Sequence, residues 1–133
     1  MRLREYFENA QGLGVLATAD AEGNVDAAIY SRPHVLDDGT VAFIMAEKRT
    51  HENLQTNPHA AYLFKENGQG YFGARLFLTK IREEKDSPQI AALVRRKSQA
   101  IQQEIGDSAK YLVFFRVDRV APLVGSGKCP IAQ

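Results

Sequence analysis

Two kinds of apolar spacing follow one another at the start of the chain. The first eleven residues, MRLREYFENAQ, carry four apolar side chains at helical spacing, and Gly12 follows as a stop signal, which predicts a short amphipathic helix. The runs GVLATAD and NVDAAIYSR then have the composition of strands. They are joined by AEGN, whose Gly23 and Asn24 accept the positive φ angles of a tight turn. The sequence therefore predicts a helix followed by a β-hairpin.

Two further hairpins are predicted in the middle of the chain. HVL and TVAFIMA flank the turn residues DDG, and HAAYLFKE and GYFGARLFLTKIRE flank a turn around Asn67 and Gly68. Between these hairpins, residues 50–56 form a short polar segment that we predict to be helical. The pattern up to this point is one of antiparallel strands with local connections.

A longer helix and a last strand complete the pattern. Asp86 or Ser87 can cap this helix, Pro88 suits its first turn, and an apolar stripe extends to Ile105 before Gly106. The run KYLVFFRVDRV is strongly apolar and predicts the final strand, after which residues 122–133 are predicted to be a flexible tail. We predict a mainly β fold of the α+β type, a six-stranded antiparallel barrel, because closure removes exposed strand edges.

Composition limits the function classes. With 133 residues, 44% of them hydrophobic, the chain is long enough for one domain, which we place at 1–133. A net charge of +1 gives no general field for nucleic acid or an anionic membrane, so we expect neither partner. Cys129 is the single cysteine, and no apolar run has the length of a membrane span, which leads us to expect a cytoplasmic protein.

The most informative local feature is EKRTHENLQTNPHAA, where two cations and a threonine precede the short helix. The first N–H groups of a helix lack intrahelical partners and favour an anion. Lys48, Arg49 and the Thr50 hydroxyl can therefore form a socket for a phosphomonoester. The alternative is an ordinary capped turn that ends at Asn57–Pro58 for steric reasons. Spacing alone leaves both interpretations open.

The order of these residues resembles a known family. KRTHENLQTNPHAAYLF is similar to the motif of the pyridoxamine 5'-phosphate oxidase-like FMN-binding split barrels. The three residues from Lys48 to Thr50 stand in the place of that family's basic triplet, Asn53 and Leu54 in that of the next pair, and Asn57 and Pro58 in that of its Asn-Pro dipeptide. The resemblance covers roughly residues 1–120 and implies a split barrel with FMN as cofactor.

The resemblance also implies a set of cofactor-binding residues and a homodimer with the cofactor at the subunit interface. In the family, the second strand lies along the flavin, the third strand adds contacts, and the basic turn holds the phosphate. The implied residues are Ala28, Ile29, Tyr30, Ser31, Phe43, Ile44, Lys48, Arg49, Thr50 and Asn53. The strand residues among them also fit an ordinary alternation of core and surface positions.

The chain lacks tryptophan and the Arg- and Trp-containing substrate motif of the oxidase proper, so we do not expect that activity. We expect an FMN-dependent oxidoreductase or electron-transfer protein with a small-molecule or protein redox partner. A non-catalytic flavin-binding or sensory module, a heme- or deazaflavin-binding relative, and a barrel without ligand remain alternatives.

No catalytic residue and no metal ligand set stands out in the sequence. His34 is interpreted as a turn histidine, with a substrate contact or a heme ligand as alternatives. His51 is interpreted as solvated or as an assistant in anion binding, and His59 as exposed. Arg95, Arg96 and Lys97 are interpreted as a solvated helix face, or as a docking patch for an acidic partner.

Overall fold

The fold is an antiparallel split barrel, with three helices among the residues that the structure describes. The structure is a computed structural model and describes residues 1–94 and 109–132. The helices are α1 (Leu3–Asn9), α2 (Arg49–Thr56) and α3 (Pro88–Val94). The strands are β1 (Gly12–Ala19), β2 (Val25–Ile29), β3 (His34–Val35), β4 (Val41–Ala46), β5 (His59–Glu66), β6 (Gly73–Lys85) and β7 (Ala109–Pro122). The predicted fold class is confirmed, but the described residues contain seven strands instead of six, since the three predicted hairpins and the last strand together make seven.

All seven strands form one antiparallel sheet in the order β2-β1-β5-β6-β7-β4-β3. The long strands β6 and β7 pair along most of their length. Their register shifts between Phe77 and Leu78 and again between Lys80 and Arg82. Such irregularities bend a strand and increase its twist, so they let the sheet curve around its apolar face.

The barrel interior is filled by large aromatic residues from several strands. Tyr62, Phe64 and Phe115 are fully buried. Phe7 of α1 lies edge-on to Phe64 with ring centroids 5.5 Å apart, so α1 covers this end of the core. This contact explains the predicted amphipathic pattern of the first helix, since its apolar side faces the barrel.

The C-terminal segment corrects one part of the prediction. Residues 122–133 were predicted to be a flexible tail, yet Ile131 is 2% exposed within the core cluster. The Ala132 N–H also donates a 2.8 Å hydrogen bond to the carbonyl of Met1. Because an apolar side chain and a backbone bond both return to the barrel, the end of this segment is part of the folded domain.

A second, smaller apolar cluster lies on the other side of the sheet. Ala42, Ile44, Leu112 and Phe114 form it, and residues of α3 pack against it. The hydroxyl of Ser87 accepts a 3.2 Å hydrogen bond from the Gln89 N–H, which confirms Ser87 as the predicted cap of α3. The remainder of the predicted helix, including Arg95, Arg96 and Lys97, lies outside the described residues.

One face of the sheet exposes apolar side chains to solvent. On β1 and β2, the alternate residues that point away from the core are almost all apolar, and β5 continues the row through Leu63. Val25 is 83% exposed and Ile29 is 69% exposed, which is unusual for large aliphatic residues. We call this surface the outer apolar face, formed by Leu13, Val15, Ala17, Val25, Ala27, Ile29, Ala61 and Leu63.

Candidate phosphate site at the start of α2

Helix α2 begins without a side-chain cap. Lys48 is its N-cap residue, has extended backbone angles and makes no side-chain capping bond. The first intrahelical bond runs from the Glu52 N–H to the Lys48 carbonyl at 3.0 Å. The N–H groups of the three residues between them therefore have no intrahelical acceptor. These groups and the positive end of the helix dipole favour an anion at this position.

Two exposed cations stand at the same helix end. The side chains of Lys48 and Arg49 are exposed, and neither forms an ion pair or hydrogen bond within the part of the chain that the structure describes. The ammonium group of Lys48 and the planar guanidinium group of Arg49, next to uncapped N–H groups, can bind a phosphate dianion from several directions. The predicted basic turn is thus chemically suited to a phosphate group.

Thr50 has a different place from the one predicted. Its side chain is 4% exposed and does not cap α2. Instead it forms a hydrogen bond with the phenol of Tyr30, which follows β2. Burial raises the pKa of Tyr30, and the bond to Thr50 offsets part of that rise. The N-cap position is Lys48, two residues before Thr50, so the Thr50 hydroxyl lies inside the first turn and connects the helix to the end of β2.

Asn53 anchors the helix to the barrel. Its amide nitrogen donates a 3.0 Å hydrogen bond to the hydroxyl of Thr18, and both side chains are 4% exposed. The neighbouring Leu54 is 3% exposed in the main core. A buried amide committed to a partner inside the fold is a structural element, so Asn53 contributes to the site by fixing the position of α2.

The predicted strand residues fall on different sides of the sheet. Tyr30 and Phe43 meet edge-on inside the barrel with ring centroids 5.9 Å apart. Phe43 is only 2% exposed, so its side chain belongs to the core. Ile44 lies in the second cluster on the opposite side, and Ile29 points outward on the outer apolar face. Ala28 lies within β2 and Ser31 lies two residues after its end, and both side chains are partly buried. The structure thus brings Tyr30, Phe43 and Thr50 together, but not Ile29 or Ile44.

His51 is buried, in contrast to the solvated position considered from the sequence. It is 6% exposed, and its ring stacks on Tyr111 of β7 with centroids 3.7 Å apart. Its Nε2 lies 3.0 Å from Oε2 of Glu83 on β6. Since an ionised carboxylate only accepts hydrogen bonds, Nε2 carries the proton in this pair. By contrast, His59 is exposed, as expected.

Glu83 is the centre of a polar cluster that the sequence did not indicate. It accepts hydrogen bonds from Lys80 at 2.6 Å and from the Gln55 amide at 3.0 Å, in addition to His51. Partial burial by itself would raise the pKa of Glu83, but these donors outweigh it and hold the pKa at about 2. We call the group formed by His51, Gln55, Lys80, Glu83 and Tyr111 the α2 clamp, because it connects α2 to β6 and β7.

Two cavities of about 400 and 560 Å³ lie between α1 and the β3–β4 hairpin. Both include Arg4, Val35 and Asp37 in their walls, and the smaller one also includes Arg32 and His34. No residue of α2 lines either cavity. The side chains of Lys48 and Arg49 at the start of α2 are exposed on the single chain. No helix within residues 1–94 and 109–132 is long and apolar enough to cross a membrane.

Comparison with known proteins identifies relatives of the chain. A family model described as pyridoxamine 5'-phosphate oxidase matches residues 3–123, which is most of the chain. No curated protein gives a significant match to the sequence.

Solved structures with the same architecture include proteins that bind two different cofactors. An FMN-binding protein from Syntrophomonas wolfei superposes with a TM-score of 0.71 at 16% identity, covering 92% of this chain and 84% of that one. HutZ, the heme storage protein from Vibrio cholerae, gives 0.69 at 18% identity, with coverages of 92% and 95%. HupZ from Group A Streptococcus gives 0.68 at 20% identity, with coverages of 94% and 93%. At these identities the similarity concerns the fold.

Proposed function

The chain belongs to the pyridoxamine 5'-phosphate oxidase family, and from this membership we propose that it is an FMN-binding flavoprotein acting as an oxidoreductase or electron-transfer protein. The proposal excludes the oxidase activity after which the family is named, because the chain has no tryptophan for the substrate motif of that enzyme. An FMN-binding protein among its structural neighbours supports the choice of cofactor.

The observation that carries the proposal is the uncapped start of α2 beside two exposed cations. Exposed lysines and arginines are common, but here Lys48 and Arg49 coincide with N–H groups that have no intrahelical acceptor. A phosphate satisfies these donors and is attracted by both charges. The terminal phosphate of FMN fits this donor set, whereas a neutral ligand leaves it unused.

FMN, when bound, supplies one-electron and two-electron redox chemistry, while the protein supplies binding and orientation. In this chain the guanidinium group of Arg49 and the ammonium group of Lys48 would hold the phosphate. Tyr30 and Ser31 directly follow β2, and this segment would orient the remainder of the cofactor. The interaction between Tyr30 and Thr50 connects the end of β2 to the start of α2.

We further propose that the protein acts as a homodimer. The outer apolar face leaves Val25 and Ile29 more than two thirds exposed on an edge strand, where they contribute nothing to the core of the single chain. A second copy that covers this face removes the apolar surface from water, which drives association. The open phosphate site then lies near the subunit boundary, since Tyr30 directly follows Ile29 in the chain.

Heme is the second candidate cofactor. HutZ has the same fold and is a heme storage protein, and the half-buried His34 lines a cavity of about 400 Å³ together with Arg4 and Arg32. Imidazole is a common axial ligand of heme iron. This alternative uses the α1 side of the molecule and leaves the cations at the start of α2 without a role.

An ultraviolet-visible spectrum of the purified protein separates the candidates. The proposal predicts flavin bands that stay with the protein when unbound FMN is removed by gel filtration, and bleaching of these bands by NADH or NADPH under anaerobic conditions. Flavin bands that resist both nicotinamides but bleach with dithionite would indicate a carrier or sensor instead of a nicotinamide-dependent enzyme. A Soret band on addition of hemin, without flavin binding, would overturn the proposal in favour of heme.

A further inference from the structure

The α2 clamp attaches to the first turn of α2, which is the turn that carries the candidate phosphate donors. His51 is the third residue of the helix, and its own N–H is among those without an intrahelical acceptor. Its side chain is held by stacking on Tyr111 and by the bond to Glu83. One residue therefore links a candidate anion donor to two strands of the barrel.

Helix α2 depends on such anchors for its orientation. It has eight residues, which is too short for a helix to be stable by itself in water. Leu54 and the Asn53–Thr18 bond hold its middle against the barrel. The clamp is the anchor on the side of β6 and β7, and through His51 it contacts the helix two residues before Asn53.

The clamp is also well satisfied internally, so it is not itself arranged as a ligand site. The Glu83 carboxylate accepts bonds from three side chains, and Lys80 is mostly buried against it. Charged groups that neutralise one another in this way have little field left for an external ion. The cluster is therefore suited to positioning the helix.

We propose that the α2 clamp is a positioning device that aims the first N–H groups of α2 at a phosphate, and so makes the chain select phosphorylated flavin over flavin without phosphate. This inference rests on the proposed function, since it assigns a source of specificity to the same site. Lys48 and Arg49 attract the anion, and the clamp fixes the backbone donors that recognise its geometry. Within the clamp, Glu83 and His51 are positioning residues.

The direction in which Glu83→Ala changes the FMN affinity distinguishes a positioning role from a simple electrostatic effect. In Glu83→Ala a negative charge disappears from the neighbourhood of α2, and charge alone would tighten the binding of an anionic ligand. Loss of the clamp weakens the binding of FMN instead, because the N–H groups of the first turn are no longer held in the orientation that the phosphate requires. Glu84→Ala is the matched control, since it removes the same charge from the next residue, which pairs with Arg82 instead.

The test is fluorescence titration of wild type, Glu83→Ala and Glu84→Ala with FMN and with riboflavin. We expect the FMN affinity of Glu83→Ala to fall about tenfold, which corresponds to one backbone hydrogen bond to the phosphate that is no longer well aligned. The riboflavin affinity should be nearly unchanged. Glu84→Ala should match wild type for both ligands. An equal loss for both flavins, or tighter FMN binding, would overturn the positioning role.

A second variant covers the case in which Glu83→Ala does not fold. His51→Phe retains an aromatic ring for the stack on Tyr111 and leaves Glu83 bonded to Lys80 and Gln55. It should also lose FMN affinity selectively. An unchanged ratio between riboflavin and FMN dissociation constants in this folded variant contradicts the inference. If wild type binds neither flavin, the proposed function itself fails, and the inference fails with it.

Discussion

The Asn53 amide on α2 donates a 3.0 Å hydrogen bond to the Thr18 hydroxyl on β1, and both side chains are buried. This bond joins the helix that carries the candidate phosphate site to the strand whose far side forms the outer apolar face. A buried amide that loses its acceptor is more costly than an exposed one, because water cannot replace the missing partner. The position of α2 therefore depends on a pair of residues that never contact the ligand.

Thr18→Val tests the stabilising role of this bond. The substitution keeps the shape of the side chain and removes the acceptor, so the Asn53 amide remains buried without its partner. We expect the free energy of unfolding to fall by about 1–3 kcal/mol, measured by urea denaturation. As a control, Thr40→Val removes a hydroxyl that bonds to Asp38 in an exposed turn and should change stability by about 0.5 kcal/mol or less. Equal losses in both variants would contradict the buried role of Thr18.

The α2 clamp predicts a specific loss of stability in acid. The pKa of Glu83 is about 2 in the folded chain, against 4.5 ordinarily. A depressed carboxyl pKa stabilises the fold above its unfolded value, and this contribution is lost as the pH falls from 4.5 towards 2. Glu83→Gln lacks the titrating group, so its stability should change less than that of wild type over this range.

Urea denaturation midpoints at neutral pH and near pH 3 measure this difference. Glu47→Gln, which changes an exposed residue outside the clamp, serves as the control and should follow wild type. Parallel pH profiles for wild type and Glu83→Gln would show that Glu83 does not contribute to the acid transition.

The homodimer proposal predicts that charge on the outer apolar face separates the subunits. Ile29→Glu places a carboxylate within the proposed contact, where its desolvation opposes association. Sedimentation velocity should find wild type as a dimer and Ile29→Glu as a monomer. Ile81→Glu alters another exposed isoleucine on β6, outside this face, and should remain dimeric. A monomeric wild type, or a dimeric Ile29→Glu, would contradict the proposed interface.

Local patterns were sufficient to predict the hairpins and the first helix, and they limited the cap of α3 to Asp86 or Ser87. Gly23, for example, has a φ of 87° in the β1–β2 turn, as its position between two apolar runs indicated. The basic turn was also found from sequence, because Lys48 and Arg49 are adjacent residues at the start of a short predicted helix. These features depend on neighbours in the chain, which a single sequence displays.

The clamp could not be predicted, since it depends on an irregular strand pair. Lys80 and Glu83 are three residues apart, and in a regular strand such residues point to opposite faces. The register shift between Lys80 and Arg82 changes this alternation and brings both side chains to one place. Likewise, the burial of Phe43 and the outward direction of Ile29 follow from which face of each strand is covered. That information lies in the tertiary packing.

The most direct test of the account is an equilibrium titration of FMN into wild type and Arg49→Ala. We expect saturable binding to wild type and roughly tenfold to hundredfold weaker binding to Arg49→Ala, because the phosphate loses a charge-assisted partner. Arg116→Ala removes an exposed arginine that pairs with Asp118 on β7 and should bind FMN like wild type. Equal FMN affinity in wild type and Arg49→Ala, or no FMN binding by wild type, would contradict the assignment of the start of α2 as a flavin phosphate site.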